Sequence, residues 1–256
     1  MNNKYKYSIL TYIVGDYEIV HEIENPKTDV EYILVTDNPN LSSNTWTIKL
    51  VSNPHPEDPF YLCYQIRFHP FDYVSSDIVI RIDGSMAVVG NTDILIDTFN
   101  KNNYDACVMI HPGRNNMLDE YQTWCDVRNY NPQQANKILA FMANVYNYDA
   151  KFYKGLYQFN FMIQRNNDMN NNWNNLTFIT LLYLKENNKS IERIDQTIGS
   201  MILNKYFSDK SIMPVSEKIC DGSLFNWYAH GSDKIMDAGK STIQPFLFNK
   251  PVITLF

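Results

Sequence analysis

Short apolar runs alternate with longer amphipathic stretches along the first 110 residues of the chain. Residues 7–14 and 31–36 are rich in β-branched and aromatic side chains, and each run ends in a turn signal, which predicts two strands. Three prolines within residues 53–59 exclude a helix or a central strand there. The same patterns predict strands at residues 46–51, 78–82 and 105–111, and helices at residues 60–69 and 91–100.

The second half of the chain has a more helical pattern. Residues 117–150 are mostly helical in periodicity, and residues 155–164 indicate a further strand. Helices are predicted at residues 173–186 and 194–206, and the Asn-rich stretch 166–175 is interpreted as a solvated connection. Neither an internal repeat nor a domain boundary is visible. We therefore expect one α/β domain over residues 1–256, with a layered sheet rather than a sandwich or a bundle.

Composition narrows the classes of partner. Hydrophobic residues make up 45% of the 256 positions, which is enough for a substantial core. The formal net charge of -6 and the lack of a basic stripe argue against nucleic acid as a partner. The four cysteines are scattered, and neither CxxC nor HExxH spacing occurs, so a structural zinc site is not expected.

The sequence pattern predicts neither a signal peptide nor a transmembrane segment. The first residues lack the apolar core of a signal peptide, and no run approaches the roughly 20 apolar residues that cross a bilayer. We therefore expect a cytoplasmic protein with reduced thiols and no transmembrane segment. Residues 246–256 are aromatic and apolar, and we expect them to pack against the body of the protein. The alternative for this segment is a peripheral contact with the inner face of a membrane or with a partner.

The most informative motif is an apolar strand that ends in an acidic turn. Residues 78–82 are followed by Asp83, Gly84 and Ser85, and glycine permits a tight turn at that point. Asp83 should therefore lie at the carboxyl end of a buried strand, which is where open α/β sheets bind ligands. A carboxylate with a hydroxyl beside it suits a hard divalent cation that holds a diphosphate. The alternative is that Asp83 only caps the turn.

Two polar clusters accompany other predicted strands. His111 and Arg114 follow one strand directly and precede Glu120, and a guanidinium fork suits phosphate or carboxylate. The alternative is an ordinary turn followed by acidic residues that favour the start of a helix. Gln158 and Asn160 lie within a strand that should be buried, where an unpaired amide costs about 1–3 kcal/mol. A sugar hydroxyl or an internal hydrogen bond would satisfy them.

Three further positions carry candidate polar groups. Asp195 opens a predicted helix with Gln196 beside it, so Asp195 is either an N-cap or an active-site carboxylate. His230 and Lys234 lie in a late loop, where a lone histidine is more often inert than a ligand. Asp37 follows the second strand and can reach a ribose or a base, although turn chemistry also explains it.

The order of these elements resembles the nucleotide-sugar-dependent glycosyltransferases of the GT-A fold. Within them it is most similar to the family once described as a domain of unknown function, which contains plant mucilage- and pectin-related glycosyltransferase-like proteins and bacterial relatives. The resemblance spans about residues 5–206. The matched pieces are Arg81-Ile82-Asp83-Gly84-Ser85, His111-Pro112-Gly113-Arg114 with Asp119-Glu120, Gly155-Leu156-Tyr157-Gln158-Phe159-Asn160-Phe161 and Arg193-Ile194-Asp195-Gln196.

The resemblance implies a Rossmann-like mixed sheet flanked by helices, with a mainly helical C-terminal part. Residues 1–110 would bind the nucleotide sugar. Residues 111–256 would form the half that binds the acceptor and carries the catalytic residues. The resemblance also implies donor contacts from Thr11, Asp37, Arg67, Asp83 and Lys234, and acceptor or sugar contacts from His111, Arg114, Gln158 and Asn160.

The resemblance also implies a bound Mn²⁺ or Mg²⁺ with Asp83 as its leading ligand. The motif here is Asp-Gly-Ser, so the second carboxylate of the family's Asp-x-Asp is missing. Ser85, a water or His230 would have to complete the metal shell. The late loop with His230 and Lys234 is similar to a stretch that contacts metal and diphosphate in related transferases, but the usual Lys-Pro-Trp ending is absent.

The expected chemistry follows from charge. Cleavage of a sugar–phosphate bond develops an oxocarbenium-like sugar and an anionic diphosphate, which a divalent ion, Arg67 and Lys234 would stabilise. Asp195 or Glu120 would act as general base if configuration inverts. If configuration is retained, Asp195 and Gln196 would instead stabilise positive charge on the sugar.

The expected function is therefore metal-dependent transfer of a sugar from a nucleotide sugar, most simply a UDP-sugar, to a glycan or lipid-linked glycan. Bacterial surface polysaccharide synthesis is the expected setting. The alternatives are a nucleotidyltransferase, a non-catalytic carbohydrate-binding protein and a glycoside hydrolase. No Gly- and Arg/Lys-rich phosphate loop follows the first strand, which argues against a nucleotidyltransferase. A binding protein would need none of the carboxylates, and a hydrolase would need no nucleotide.

Overall fold

The computed structural model describes residues 4–114, 116–126, 131–148, 155–187, 194–207 and 211–236. In these residues, helices cover a seven-stranded sheet, and a two-stranded sheet lies beside it. The strands are β1 Tyr7–Ile13, β2 Val30–Thr36, β3 Thr47–Leu50, β4 Ile78–Ile82, β5 Met86–Val88, β6 Ala106–Ile110, β7 Tyr157–Arg165, β8 Ile212–Val215 and β9 Phe225–Trp227. The helices are α1 Pro59–Phe68, α2 Asp93–Lys101, α3 Met117–Asp126, α4 Pro132–Tyr146, α5 Asp168–Asn187 and α6 Asp195–Tyr206, with short 3-10 turns at Pro70–Asp72 and Glu217–Cys220.

The main sheet has the strand order β3-β2-β1-β4-β7-β6-β8. Neighbouring strands are parallel except at β7, which runs antiparallel to both β4 and β6. The carboxyl ends of β1, β4 and β6 therefore meet the amino end of β7 along one edge of the sheet. The mixed, Rossmann-like α/β sheet flanked by helices that the sequence predicts is confirmed. Open α/β sheets bind ligands at this edge.

The central strand β4 is buried on both faces. Ile80 packs in the core cluster that includes Phe99 of α2, whereas Val79 packs in the cluster that includes Leu62 of α1. Side chains of a strand alternate between its faces, so one apolar strand serves both cores. Helices α4, α5 and α6 join α1 over β6 and β7, where their buried apolar residues form a shared cluster. This packing fixes α1 and α6 above the strand ends.

Most predicted elements are confirmed to within two residues of their ends. Helix α1 begins at Pro59, a residue whose fixed φ and missing N–H suit the first helical position. The sequence does not predict strands β5, β8 and β9, because β5 and β9 have only three residues each and β8 contains a proline. Strand β8 contains Pro214. A proline is tolerated there because β8 lies at the edge of the sheet and pairs with β6 alone.

The prediction of a solvated connection at residues 166–175 is wrong. Most of this stretch forms the first turns of α5, and Asn170, Trp173 and Asn174 are buried there. Asn170 donates to the backbone oxygens of Asp105 and Arg165 at 2.8 and 2.9 Å. The side-chain N–H groups of Asn170 are therefore bound by backbone oxygens of the neighbouring sheet instead of water, which composition alone does not reveal.

Helix α5 is the longest of the described helices, at 20 residues, and it carries many polar side chains. None of the helices among the described residues is both long enough and apolar enough to span a bilayer. The apolar segment at residues 246–256, which we expected to pack against the body, lies outside the described residues.

Substitution of Gly199 by alanine should destabilise the protein. An added Cβ would lie 2.5 Å from Cε2 of Phe159, whose ring is buried where α6 meets β7. Overpacking of this kind costs about 1–3 kcal/mol, which outweighs the roughly 1 kcal/mol that alanine otherwise gains over glycine in a helix. Urea unfolding would measure the loss. The loss should shrink when Phe159→Leu makes room, and equal losses in both backgrounds would contradict this packing.

Candidate active site

A cleft of about 450 Å³ opens at the carboxyl edge of the sheet. Its walls come from the ends of β1 and β4, from α1, from the start of β7 and α6, and from β9 with the loop that follows it. The predicted site residues that line the cleft are Arg67, Asp83, Ser85, Gln158, Asn160, Asp195, Gln196 and His230. The predicted residues outside its lining are Thr11, Asp37, His111, Arg114, Glu120 and Lys234.

Asp83 lies at the position that the sequence predicts, just beyond the carboxyl end of β4. Its backbone N–H donates to the Asn160 carbonyl at 2.8 Å, which joins the end of β4 to β7. The following turn needs glycine, because a Cβ at Gly84 would lie 2.8 Å from the Tyr12 carbonyl oxygen. The Asp83 side chain is bound by other side chains and points to the cleft, so it does more than cap a turn.

Arg67 connects two carboxylates that lie far apart in sequence. It lies in the last turn of α1, and its Nη2 donates to Asp83 Oδ1 at 2.8 Å. Its Nη1 contacts Asp195 Oδ2 in a second ion pair. The N-cap of α6 is Ile194 and Asp195 is the first helical residue, so the N-cap interpretation of Asp195 is wrong. One guanidinium thereby holds both carboxylates at the base of the cleft.

Tyr12 completes this network, and sequence reasoning did not identify it. Its hydroxyl donates to Asp83 Oδ1 at 2.8 Å and accepts from Arg67 Nε at 2.9 Å. Burial raises the pKa of Tyr12 well above its ordinary value, so the hydroxyl stays protonated and neutral. Nothing in the local sequence distinguishes Tyr12 from Tyr7, the other aromatic residue of β1, because the role of Tyr12 depends on Arg67 and Asp83 across the fold.

The protonation states of neighbouring groups limit the chemistry. Burial works against the charge of Arg67, but Asp83, Tyr12 and Asp195 together raise the pKa of Arg67 above its ordinary value. Arg67 is therefore a permanent cation. Cys63 also lines the cleft, and burial raises the pKa of its thiol to about 12. A thiol that is not ionised is a poor nucleophile, so Cys63 is not suited to covalent catalysis.

A wide bulge in β7 shapes the polar wall of the cleft. The adjacent residues Val108 and Met109 of β6 pair with Met162 and Gln158, so residues 159–161 of β7 have no partner on β6. Bulges often re-aim side chains beside active sites. Here the bulge contains Asn160 and begins directly after Gln158, next to the end of β4.

Several amide atoms at this wall lack a hydrogen-bond partner among the described residues. They are Gln158 Oε1, both polar atoms of the Asn160 side chain, and Gln196 Nε2. Leaving such a buried group unpaired costs about 1–3 kcal/mol. Unpaired amides that line a cleft are suited to a ligand with hydroxyl groups, because a hydroxyl both donates and accepts.

His230 is attached to the opposite rim of the cleft through Glu18. Its Nδ1 contacts Glu18 Oε1, and the backbone N–H of Gly231 donates to Glu18 Oε2 at 2.8 Å. The Tyr17 ring lies against the imidazole, with ring centroids 5.1 Å apart. These contacts fix the orientation of His230, as carboxylate partners do for metal-binding histidines. Lys234, four residues later, is exposed and lies outside the cleft.

Asp83 is the main residue in the cleft that could bind a divalent cation. Among the described residues, the contacts of this carboxylate all fall on Oδ1, which leaves Oδ2 for a ligand. The described part of the chain contains no group of three acidic, histidine or cysteine side chains that would hold a metal by itself. Mg²⁺ is commonly bound through one or two carboxylates plus substrate phosphates. The site fits that mode and does not fit an all-protein metal cage.

The predicted acceptor residues at the end of β6 come together in a separate cluster. Arg114 Nη1 contacts the fully buried Glu120, and Arg114 Nη2 lies 2.5 Å from His111 Nε2. Strand β7 separates β6 from β4, so this cluster lies roughly 10 Å along the sheet edge from Asp83. It occupies the same edge of the sheet as the cleft but is not part of its lining.

Two predicted donor residues have local roles. Asp37 accepts from the backbone N–H of Gly15 at 2.8 Å and from Asn53 Nδ2 at 3.0 Å, so it ties the end of β1 to a neighbouring loop. Asp37 does not line the cleft itself, but it binds the backbone of Gly15, which does. Thr11 is buried within β1, and its hydroxyl has no partner among the described residues. Arg193, part of one matched motif, lies outside the described residues.

Comparison with protein-family models and with curated proteins finds no significant match for this chain. Functional inference therefore depends on the cleft itself. Its defining features are a guanidinium held between two carboxylates, a set of unpaired amides, and the aromatic side chains of Phe60, Tyr64 and Trp227 in its lining.

Removal of the Tyr12 hydroxyl should weaken the network measurably. In Tyr12→Phe, Asp83 and Arg67 each lose a buried hydrogen bond. Hydrogen bonds to charged groups are worth about 1.5–3 kcal/mol, so the free energy of unfolding should fall by that amount in a urea titration. Tyr183→Phe is the control, because Tyr183 is 48% exposed. A similar small effect for both variants would contradict the proposed importance of Tyr12.

Proposed function

We propose that this protein is a nucleotide-sugar-dependent glycosyltransferase of GT-A type, which moves a sugar to a glycan or lipid-linked glycan. The observation that carries the proposal is the pair of carboxylates, Asp83 and Asp195, that one guanidinium holds at the carboxyl edge of a mixed sheet. In this arrangement Arg67 would stabilise the leaving diphosphate. Asp83 would bind a metal ion, and Asp195 would act on the reacting sugar. Synthesis of a bacterial surface polysaccharide in the cytoplasm, at the inner face of the membrane, remains the expected setting.

The lining of the cleft suits both parts of a nucleotide sugar. Phe60, Tyr64 and Trp227 line the cleft and suit a nucleobase or the apolar face of a sugar. The amides of β7 and α6 line the same cleft, and sugar hydroxyls would satisfy them. The volume of about 450 Å³ lies within the usual range of roughly 300–1,000 Å³ for small-molecule sites. A UDP-sugar is the simplest donor of this kind.

Departure of the diphosphate is the step that Arg67 would assist. A divalent cation bound by Asp83 would neutralise phosphate charge as a Lewis acid. Arg67 lies beside that carboxylate, keeps its charge, and would donate N–H groups to the developing phosphate anion. Tyr12 holds Arg67 and Asp83 in fixed relation, so little reorganisation is needed as charge moves.

Asp195 is the carboxylate that we assign to the sugar. It lines the cleft beside Gln196, whereas Glu120 is fully buried against Arg114 and lies outside the cleft. In an inverting reaction Asp195 would accept the proton of the acceptor hydroxyl, and in a retaining reaction it would stabilise the cationic sugar. The His111 and Arg114 cluster, on the same sheet edge, would lie on the acceptor side.

Nucleotide binding is the first test of the proposal. Thermal unfolding is measured with UDP, GDP, CDP and their sugars, with and without Mn²⁺. A ligand at 100 times its dissociation constant should add about 2.7 kcal/mol of stability, so the midpoint should rise with one nucleotide series and rise further with metal. Asp83→Asn should abolish the metal-dependent part of the shift.

Asp97→Asn is the matched control for this test, because the Asp97 side chain is 69% exposed and is not part of the lining of the cleft. Its nucleotide response should equal that of the wild type. A wild-type protein that responds to none of the nucleotides would refute the transferase and favour a hydrolase or a carbohydrate-binding protein. Formation of a nucleotidyl product with release of pyrophosphate would instead support the nucleotidyltransferase.

Asp195→Asn should separate catalysis from donor binding. The amide keeps an oxygen that Arg67 can contact, so the cleft should retain its shape. Loss of a general base or a charge stabiliser typically slows the reaction about 10²–10⁴-fold. Sugar transfer should fall by that factor, while the nucleotide-induced thermal shift should remain. Full activity in Asp195→Asn would show that another group performs this step.

A further inference from the structure

Arg81 is a fully buried cation beneath the cleft that the proposed chemistry does not use. It lies in β4, between Leu10 of β1 and Met162 of β7, with no exposed surface. A buried guanidinium is costly unless other groups pair with it. Its neighbours in the strand are all apolar, so its presence there needs a specific explanation.

The contacts of Arg81 join the two segments that carry the polar groups of the cleft. Its Nη1 donates to the Phe159 carbonyl at 2.7 Å, within the β7 bulge. The same Nη1 lies 3.7 Å from Asp83 Oδ1. Its Nε and Nη2 have no partner among the described residues. Two of the three guanidinium nitrogens of Arg81 therefore have no hydrogen-bond partner among the described residues. The third lies close to Asp83, so support of the backbone alone does not explain Arg81.

Charge balance explains why a second cation belongs here. Arg67 pairs with both Asp83 and Asp195, and a bound diphosphate would bring further negative charge to the same edge. The guanidinium of arginine is not deprotonated in proteins, so Arg81 contributes a second positive charge close to Asp83. With Arg81 included, two guanidinium groups balance two carboxylates.

We propose that Arg81 is a positioning residue, which fixes the Asp83 carboxylate and the β7 bulge from below and offsets the negative charge that gathers above them. The role in sugar transfer rests on the proposed function, whereas the anchoring of Asp83 does not. The competing explanation is that Arg81 only holds the Phe159 carbonyl and has no energetic link to Asp83.

A double-mutant cycle distinguishes these explanations without any ligand. Melting temperatures are compared for the wild type, Arg81→Met, Asp83→Asn and the double variant. If Arg81 anchors Asp83, Arg81→Met should lower the melting temperature much less in the Asp83→Asn background, because no carboxylate is left at position 83 to lose its counter-charge. Arg81→Lys keeps the cation and should recover most of the loss. Arg81→Gln, which also removes the charge, replaces Arg81→Met in the cycle if that variant does not fold.

Arg165→Met provides the matched control. Arg165 also donates to a backbone carbonyl, that of Tyr104 at 2.9 Å, but lies at the far end of β7. Its effect on the melting temperature should add to that of Asp83→Asn. Additive effects of Arg81→Met and Asp83→Asn would overturn the proposal and leave Arg81 as a carbonyl anchor.

Nucleotide binding separates this inference from the proposed function. The same variants are titrated with UDP and Mn²⁺. We expect Arg81→Met to weaken the metal-dependent binding at least several-fold and Arg81→Lys to restore most of it. A non-additive cycle in a protein that binds no nucleotide would uphold the anchoring of Asp83 and refute only the transferase. Nucleotide binding that Arg81→Met leaves unchanged would overturn the role in ligand binding.

Discussion

The guanidinium of Arg67, held between Asp83 and Asp195, is the interaction on which the rest of the cleft depends. It joins the last turn of α1 to the end of β4 and to the first residue of α6, which are distant in sequence. Two carboxylates this close would repel each other without a cation between them. Because Tyr12 bonds to both Arg67 and Asp83, the geometry of the charged groups is set by the protein before any ligand arrives.

The sheet places these groups on one edge through its single reversed strand. Strand β7 runs against both of its neighbours, so its amino end, with Gln158 and Asn160, meets the carboxyl ends of β4 and β6. The bulge in β7 then leaves residues 159–161 without partners on β6, beside the cleft. A charged centre and a neutral amide wall are thus brought together in one cleft, as recognition of a phosphorylated sugar would require.

The sequence predicts the strands and most helices because apolar runs and turn residues are local signals, and it predicts Asp83 because Asp-Gly follows such a run. It predicts Arg67 and Asp195 as candidate residues but not their contact, since 128 residues separate them. Tyr12 and Arg81 were missed, because their partners come from other elements. The start of α5 was missed because its buried asparagines resemble a polar loop until Asp105 and Arg165 are beside them.

Consumption of a nucleotide sugar tests the central claim most directly. The purified protein is incubated with UDP-, GDP- and CDP-sugars and Mn²⁺, with water as the acceptor, and free nucleoside diphosphate and free sugar are quantified. The account predicts that one donor series releases both products in equal amounts, and that Arg67→Met and Asp83→Asn abolish the release. Failure to consume any donor, or consumption that persists in both variants, would contradict the assignment of this cleft as a sugar-transfer site.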